Sequence, residues 1–148
     1  MKVGVFTPLL SSLPLDEVLT KLAKLDIRTV ELGTGNYPGD PHCKLSMLDS
    51  KTELADFKKE LDDHGFTISA LSSHGNPLHP DQHCARHDRE ISRKTILLAE
   101  KLAVPVVVDF RGCPGAVDEG GEGGVFGVRG GVDEELDGHV AFEHVVAA

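Results

Sequence analysis

The sequence contains no tryptophan, one tyrosine and only three cysteines among its 148 residues. An odd number of cysteines without a CxxC pair does not suit a disulfide framework, so we expect a reduced, cytoplasmic protein. No apolar run is long enough to span a membrane. The N-terminal MKVGVFTPLL has too little apolar length and no small-residue cleavage site, which favours a first strand over a signal peptide.

Basic residues are also scarce, with 15 Lys and Arg against 24 Asp and Glu, a net charge of −9. This balance disfavours nucleic acid as a partner, because its phosphates call for clustered Lys and Arg. Residues 111–148 carry eight acidic and two basic side chains, and they hold 10 of the 16 glycines. The change in composition predicts a boundary near Arg111. We expect one domain over residues 1–110 and a Gly-rich acidic tail over 111–148 that is not native barrel sequence.

Four apolar runs rich in β-branched residues predict strands, at Lys2–Phe6, Arg28–Leu32, Phe66–Leu71 and Val104–Phe110. The stretches between them have apolar residues at helical spacing. Strands that alternate with helices are typical of a parallel sheet covered by helices. The sequence therefore predicts an α/β fold with four parallel strands and three helices, the first half of a (β/α)₈ TIM barrel, followed by an irregular tail. In that tail only Val132–Val146 suits a helix.

The helix ends carry their own signals. Ser50, with Glu53 three residues later, predicts a capping box at the start of the second helix. Gly65 suits the left-handed position that ends this helix. Asp26 and Ala103 occupy the corresponding positions of the other two units, although a left-handed backbone costs Ala about 1 kcal/mol more than Gly.

Polar residues lie where the four predicted strands end. They are Thr7, Glu31, the pair His74 and Asn76, and Asp109. Ligands of parallel βα folds bind beyond the carboxyl ends of the strands, so these side chains form a candidate site for a polar ligand. An alternative is that Glu31 and Asp109 cap helices or pair with basic residues.

Three segments carry a resemblance to a known family. VELGTGNYPGDPHC, ISALSSHGNPLHP and VPVVVDF, at Val30–Cys43, Ile68–Pro80 and Val104–Phe110, resemble the sugar phosphate isomerase/epimerase members of the xylose isomerase-like barrels. The resemblance implies a proton transfer beside the carbonyl of a small sugar or sugar phosphate, assisted by a divalent metal (Mn, Mg or Zn).

Carried over by position, the resemblance implies that His74 and Glu31 are catalytic and that Asn76, Asp109 and Thr7 contact the substrate. The metal ligands and the base of such enzymes come mostly from later strands, and a complete barrel takes about 250 residues. We therefore expect a truncated chain that binds the metal weakly and is inactive alone. No metal ligand can be named.

Two other functions remain open at this point. The first is a non-catalytic half barrel that associates with itself through exposed edges at strands one and four and through an apolar inner face. The second and weaker is an endonuclease-type zinc barrel enzyme. His79, His83 and His87, with Cys84 beside them, recur at helical spacing and are of the residue types that bind zinc.

Overall fold

The structure is a computed structural model that describes residues 3–37, 39–110 and 142–146. Its five strands and three α-helices alternate until the fourth strand, with short 3₁₀ turns at Thr7–Leu10 and Leu45–Leu48. They are β1 (Val5–Phe6), α1 (Leu15–Ala23), β2 (Thr29–Asn36), α2 (Lys51–His64), β3 (Thr67–His74), α3 (Gln82–Leu102), β4 (Val106–Phe110) and β5 (Phe142–Val146).

The strands form one sheet in the order β1-β2-β3-β4-β5, and the first four are parallel. This confirms the predicted arrangement of four parallel strands and three helices. The strands β2 and β3 are longer than predicted at their carboxyl ends, because the polar residues there continue the pairing. Asn36, for example, lies opposite His74. The chain therefore leaves the sheet after β2 later than the predicted end at Leu32.

The prediction of a helix over Val132–Val146 is wrong for its last five residues. Phe142–Val146 forms β5, which pairs antiparallel with β4 along its whole length. The β-branched and aromatic residues of this segment suit a strand as well as a helix, so helical spacing alone was misleading. In the described sheet β4 consequently has a neighbour on both sides. Residues 111–141 of the tail that was expected to be irregular lie outside the described residues.

The core lies between the sheet and the helices. From the strands it takes Val30, Leu32, Leu71 and Val107, and from the helices Val18, Leu19, Leu22, Phe57, Leu61, Leu98 and Ala99. Because all three helices contribute to this one cluster, they cover the same side of the sheet. Within the described part of the chain, no helix is both long and apolar enough to cross a membrane.

The three turns from helix to strand share one hydrogen-bonding pattern. Asp26, Gly65 and Ala103 all have left-handed backbones, with φ of 58°, 69° and 55°. In each turn the amide of this residue bonds to the carbonyl three positions back, and the next amide bonds five positions back. This is the pattern of a Schellman motif, and it confirms the correspondence predicted for the three positions.

The helix starts are capped by side chains in two cases. Ser50 Oγ accepts a hydrogen bond from the backbone of Glu53 at 3.2 Å, as predicted. The second half of the expected capping box is replaced, because the Glu53 carboxylate accepts from Ser46 Oγ at 3.4 Å. Asp81 caps α3 by accepting from the backbone amides of His83 and Cys84.

Candidate functional site

The pairing of the strands places the predicted site residues on neighbouring segments. Phe6 lies opposite Glu31 on β2, and His74 at the end of β3 lies opposite Asn36. Asp109 on β4 lies opposite Ser73. Consecutive strands of a parallel sheet end at the same edge, and His74 and Asp109 lie near that edge. Glu31 does not, because β2 continues to Asn36 and Glu31 is only its third residue.

His74 is at the centre of this group. Its imidazole is half-buried, and the centroid of the Phe6 ring lies 5.5 Å from its own. Burial lowers the pKa of His74, while the charges of Glu31 and Asp109 oppose the shift. The lowered pKa favours the neutral imidazole at pH 7, the form that can both donate and accept a hydrogen bond.

Replacing Glu31 by Gln is expected to lower the pKa of His74 further, because it removes a charge that favours the imidazolium. A histidine proton titration followed by NMR measures this. Glu17→Gln, on the exposed face of α1, is the matched control and should leave the pKa unchanged. Since protonation of His74 is disfavoured in the folded state, stability should also fall as the pH drops below the ordinary histidine range. An unchanged pKa in Glu31→Gln would contradict the electrostatic contact.

Asp109 has a second attachment besides its electrostatic contact with His74. Its carboxylate accepts a hydrogen bond from Ser92 Oγ on α3, a helix of the layer that covers the sheet. The contact gives Asp109 a structural role as well as a place beside His74. The hydrogen bond agrees in part with the alternative that the Asp109 carboxylate binds a neighbouring helix.

The loop after β3 is held by α3. The backbone amide of Asn76 donates to Asp88 Oδ2 at 2.6 Å, and Arg89 donates to the carbonyl of Pro77 at 2.9 Å. The side-chain oxygen of Asn76 accepts from the backbone of Leu78 at 3.1 Å. Sequence reasoning missed Asp88, since an acidic residue on a helix gives no signal of a distant loop contact.

Thr7 lies apart from the open surface. Thr7 begins the 3₁₀ turn after β1 and is fully buried. Its hydroxyl is buried and has no hydrogen-bond partner among the described residues. The structure thus places Thr7 beneath the site edge, whereas Glu31, His74 and Asn76 are partly exposed.

A comparison with known families agrees with the observed fold. The sequence model of the family described as the xylose isomerase-like TIM barrel matches residues 19–146 of this chain. The chain belongs to the xylose isomerase-like TIM barrel family. The resemblance seen in the three sequence segments is thereby confirmed.

Two individual proteins resemble this family member. An uncharacterized protein of Bacillus subtilis (strain 168), YfiH, is 36% identical over 115 residues, which are 77% of this chain and 36% of YfiH. A crystal structure of D-psicose 3-epimerase in the presence of D-fructose superposes with a TM-score of 0.50 and 18% identity. The match covers 74% of this chain and 37% of the epimerase, and it shows the shared fold. The chain therefore spans little more than a third of each relative.

The side of the sheet opposite the helices forms an open depression of about 620 Å³. It is lined by Gly4, Val5, Phe6, Thr29, Glu31, Thr67 and Ser69, which are mostly polar or small. In a closed xylose isomerase-like barrel such a surface faces the packed interior. Val30, one of the apolar strand residues, lies in the core on the helix side, so it does not contribute to the inner face through which self-association was expected.

The three histidines of the zinc hypothesis, His79, His83 and His87, do not all lie on one helix. Helix α3 begins at Gln82 after the Asp81 cap, and His79 precedes it. The Nδ1 atom of His79 accepts a hydrogen bond from the backbone of Asp81 at 3.0 Å. Among the described residues, no three His, Cys, Asp or Glu side chains are arranged to hold a metal ion.

Proposed function

We propose that this chain forms one wall of a sugar isomerase or epimerase site, where a proton moves between carbons beside the carbonyl of a small sugar or sugar phosphate. The observation that carries the proposal is the group of His74, Glu31 and Asp109, which interact electrostatically at neighbouring strands. Membership of the xylose isomerase-like family adds the fold in which such chemistry is carried out. The epimerase that shares the fold supports a ketose as the substrate.

The proposed roles follow from the state of each side chain. The lowered pKa of His74 favours its neutral imidazole, which can donate a hydrogen bond to a sugar oxygen or accept one from a hydroxyl. The carboxylate of Glu31 accepts a proton from the carbon beside the carbonyl, which requires it within hydrogen-bond reach of that carbon's proton. Asn76 and Asp109 are proposed to position the sugar hydroxyls. Thr7 would support the end of β1 from below.

The divalent metal that the family resemblance implies has no ligand set among the described residues. We therefore assign no metal ligand to this surface and route no step of the reaction through a metal. Binding of Mn²⁺, Mg²⁺ or Zn²⁺ by this chain is proposed to be weak.

The open inner face explains why we propose that the chain is inactive alone. Water reaches Glu31 through the depression beside β1 and β3, and in water charge interactions are several times weaker than in an enclosed site. An enclosed site also holds its donors in place before the reaction, which an open surface does less well. Turnover would then require further walls of the barrel.

The 148-residue chain is expected to show no ketose isomerisation or epimerisation above background, with or without Mn²⁺. The assay follows D-fructose and its 3-epimer by chromatography, with a family member of full barrel length as the positive control. His74→Ala serves as the matched negative control. Turnover that is present in the chain and lost in His74→Ala would contradict the inactivity while supporting the role of His74.

A reduced environment is part of the proposal. Cys43 and Cys84 are free thiols in the described structure. Burial raises the pKa of the Cys43 thiol to about 12, so that thiol stays protonated and acts as a small packing residue. These features support a cytoplasmic protein, and the net charge of −9 supports the absence of a nucleic-acid partner.

Self-association is a second candidate function, and the edge of the sheet at β1 favours it. Strand β1 ends the strand order, and the preceding Val3 is 60% exposed. An unpaired strand edge can pair with the edge of another copy. We expect dimers at micromolar concentration, measured by light scattering, and a lower dimer fraction in Val3→Lys because a charged edge opposes pairing. A monomer at all concentrations would contradict this candidate.

A further inference from the structure

We propose that Asn36 is a further ligand-binding residue of this site, and that its side-chain amide acts together with that of Asn76 as a pair of hydrogen-bond donors. The ligand groups they suit are oxygen acceptors, either the hydroxyl and carbonyl oxygens of a sugar or the oxygens of a phosphate. This inference rests on the proposed function and adds to it the side chains that would hold the substrate beside His74.

The position of Asn36 is the first support. Asn36 ends β2 directly opposite His74, and the backbone amide of the next residue, Tyr37, donates to the His74 carbonyl at 3.4 Å. The backbone of Asn36 is left-handed, with φ of 54°. A non-glycine residue in this conformation is uncommon, although Asn adopts it more readily than most.

The two amide groups supply the second support. The Nδ2 atoms of Asn36 and Asn76 are buried and have no hydrogen-bond acceptor among the described residues. Buried polar groups of proteins are nearly always paired, so two unpaired donors in one small region require an explanation. A bound ligand with oxygen acceptors provides one, and both residues stand next to the proposed catalytic imidazole.

The orientation of the Asn76 amide follows from its contacts. Its oxygen accepts from the Leu78 backbone at 3.1 Å, and its backbone amide is held by Asp88 at 2.6 Å. Exchanging the oxygen and nitrogen of the side chain would place an NH₂ group against the Leu78 N–H, where both are donors. The end of Asn76 that remains for a ligand is therefore the donor end.

Gly75 gives the third support. A Cβ atom at this position would lie 2.3 Å from Nδ2 of Asn36 and 2.9 Å from Cβ of Asp88. The absence of a side chain at residue 75 thus leaves the space that the Asn36 amide occupies. Asn36, opposite His74, and Asn76 therefore flank Gly75, and the Asn36 amide packs against the position that a side chain there would take.

The test uses the full chain labelled with ¹⁵N and follows the side-chain amides of Asn36 and Asn76 together with His74. D-Fructose is titrated in one arm and inorganic phosphate in the other. We expect both amide groups and His74 to shift along one binding curve with fructose. In Asn36→Gly, which keeps the left-handed backbone, the Kd should rise about 2- to 10-fold, the effect of one neutral hydrogen bond.

Asp26→Gly is the matched control, because Asp26 is also a left-handed non-glycine residue, with φ of 58°, but lies before the opposite end of β2. It should leave the Kd unchanged. Amide shifts with phosphate alone would support the donor pair and identify an anionic group as its ligand. Shifts of His74 without the amides, or an unchanged Kd in Asn36→Gly, would overturn this inference and leave the proposed function standing. No response of either group to either ligand would count against both.

Discussion

Replacing Leu71 by alanine is expected to lower the free energy of unfolding by about 2–5 kcal/mol, the range measured for buried Leu→Ala changes. Leu71 is fully buried on β3, whose neighbours β2 and β4 hold it on both sides, and it belongs to the core shared by all three helices. Helices that close over the sheet cannot collapse easily into the resulting cavity. Since domains are stable by about 5–15 kcal/mol in total, the loss is a large fraction.

Urea unfolding followed by circular dichroism measures this difference. Leu25→Ala removes the same atoms from a side chain that is 70% exposed, and it is the matched control. Its effect should stay within about 0.5 kcal/mol, as is usual for surface changes. Equal losses in the two variants would show that Leu71 does not lie in a packed core.

Replacing Gly75 by alanine is expected to destabilise the chain by about 1–3 kcal/mol, the usual cost of overpacking. The new Cβ would meet Asn36 and Asp88, at 2.3 Å and 2.9 Å from their nearest atoms. Asp88 also holds the backbone of Asn76, so the displacement should reach the loop that carries this residue. Chemical unfolding gives the stability, and the NMR signals of His74 report the effect on the site.

A double-mutant cycle separates crowding from other effects of the new methyl group. Asn36→Gly removes the nearest contact while suiting the left-handed backbone of that residue. If crowding is the cause, Gly75→Ala should cost less in the Asn36→Gly background, since contacting residues are energetically coupled. Additive losses would contradict the crowding and would point to the backbone of Gly75 itself.

The regular part of the fold could be predicted because its signals are local. Apolar runs and helical spacing identify four strands and three helices, and chain order alone places successive strands side by side. The left-handed turns at Asp26 and Ala103 were predicted by comparison with Gly65, although neither residue signals such a turn by itself. Residues Phe142–Val146 were mistaken for part of a helix, because five residues of mixed apolar pattern carry too little periodic information.

The candidate site was predictable only in part. The predicted strand ends indicated Glu31, His74 and Asp109, and the charges of Glu31 and Asp109 act on the pKa of His74. Glu31 itself lies near the start of β2, because that strand continues to Asn36. The contacts of Ser92 with Asp109 and of Asp88 with Asn76 join residues 17 and 12 positions apart, and they depend on how α3 packs. Such contacts depend on tertiary structure, and neither Ser92 nor Asp88 stands in a recognisable motif. Asn36 escaped notice because β2 was expected to end at Leu32.

The three equivalent turns have a consequence for how this chain could be rebuilt. Asp, Gly and Ala occupy the same left-handed position in the three turns from helix to strand. Each turn is therefore defined by its hydrogen bonds and by the apolar residue that follows, namely Ile27, Phe66 or Val104. A turn that accepts three different residues at its left-handed position is a suitable point at which to recombine βα units. The βα units on either side could be exchanged or duplicated there without altering the direction in which the next strand enters the sheet.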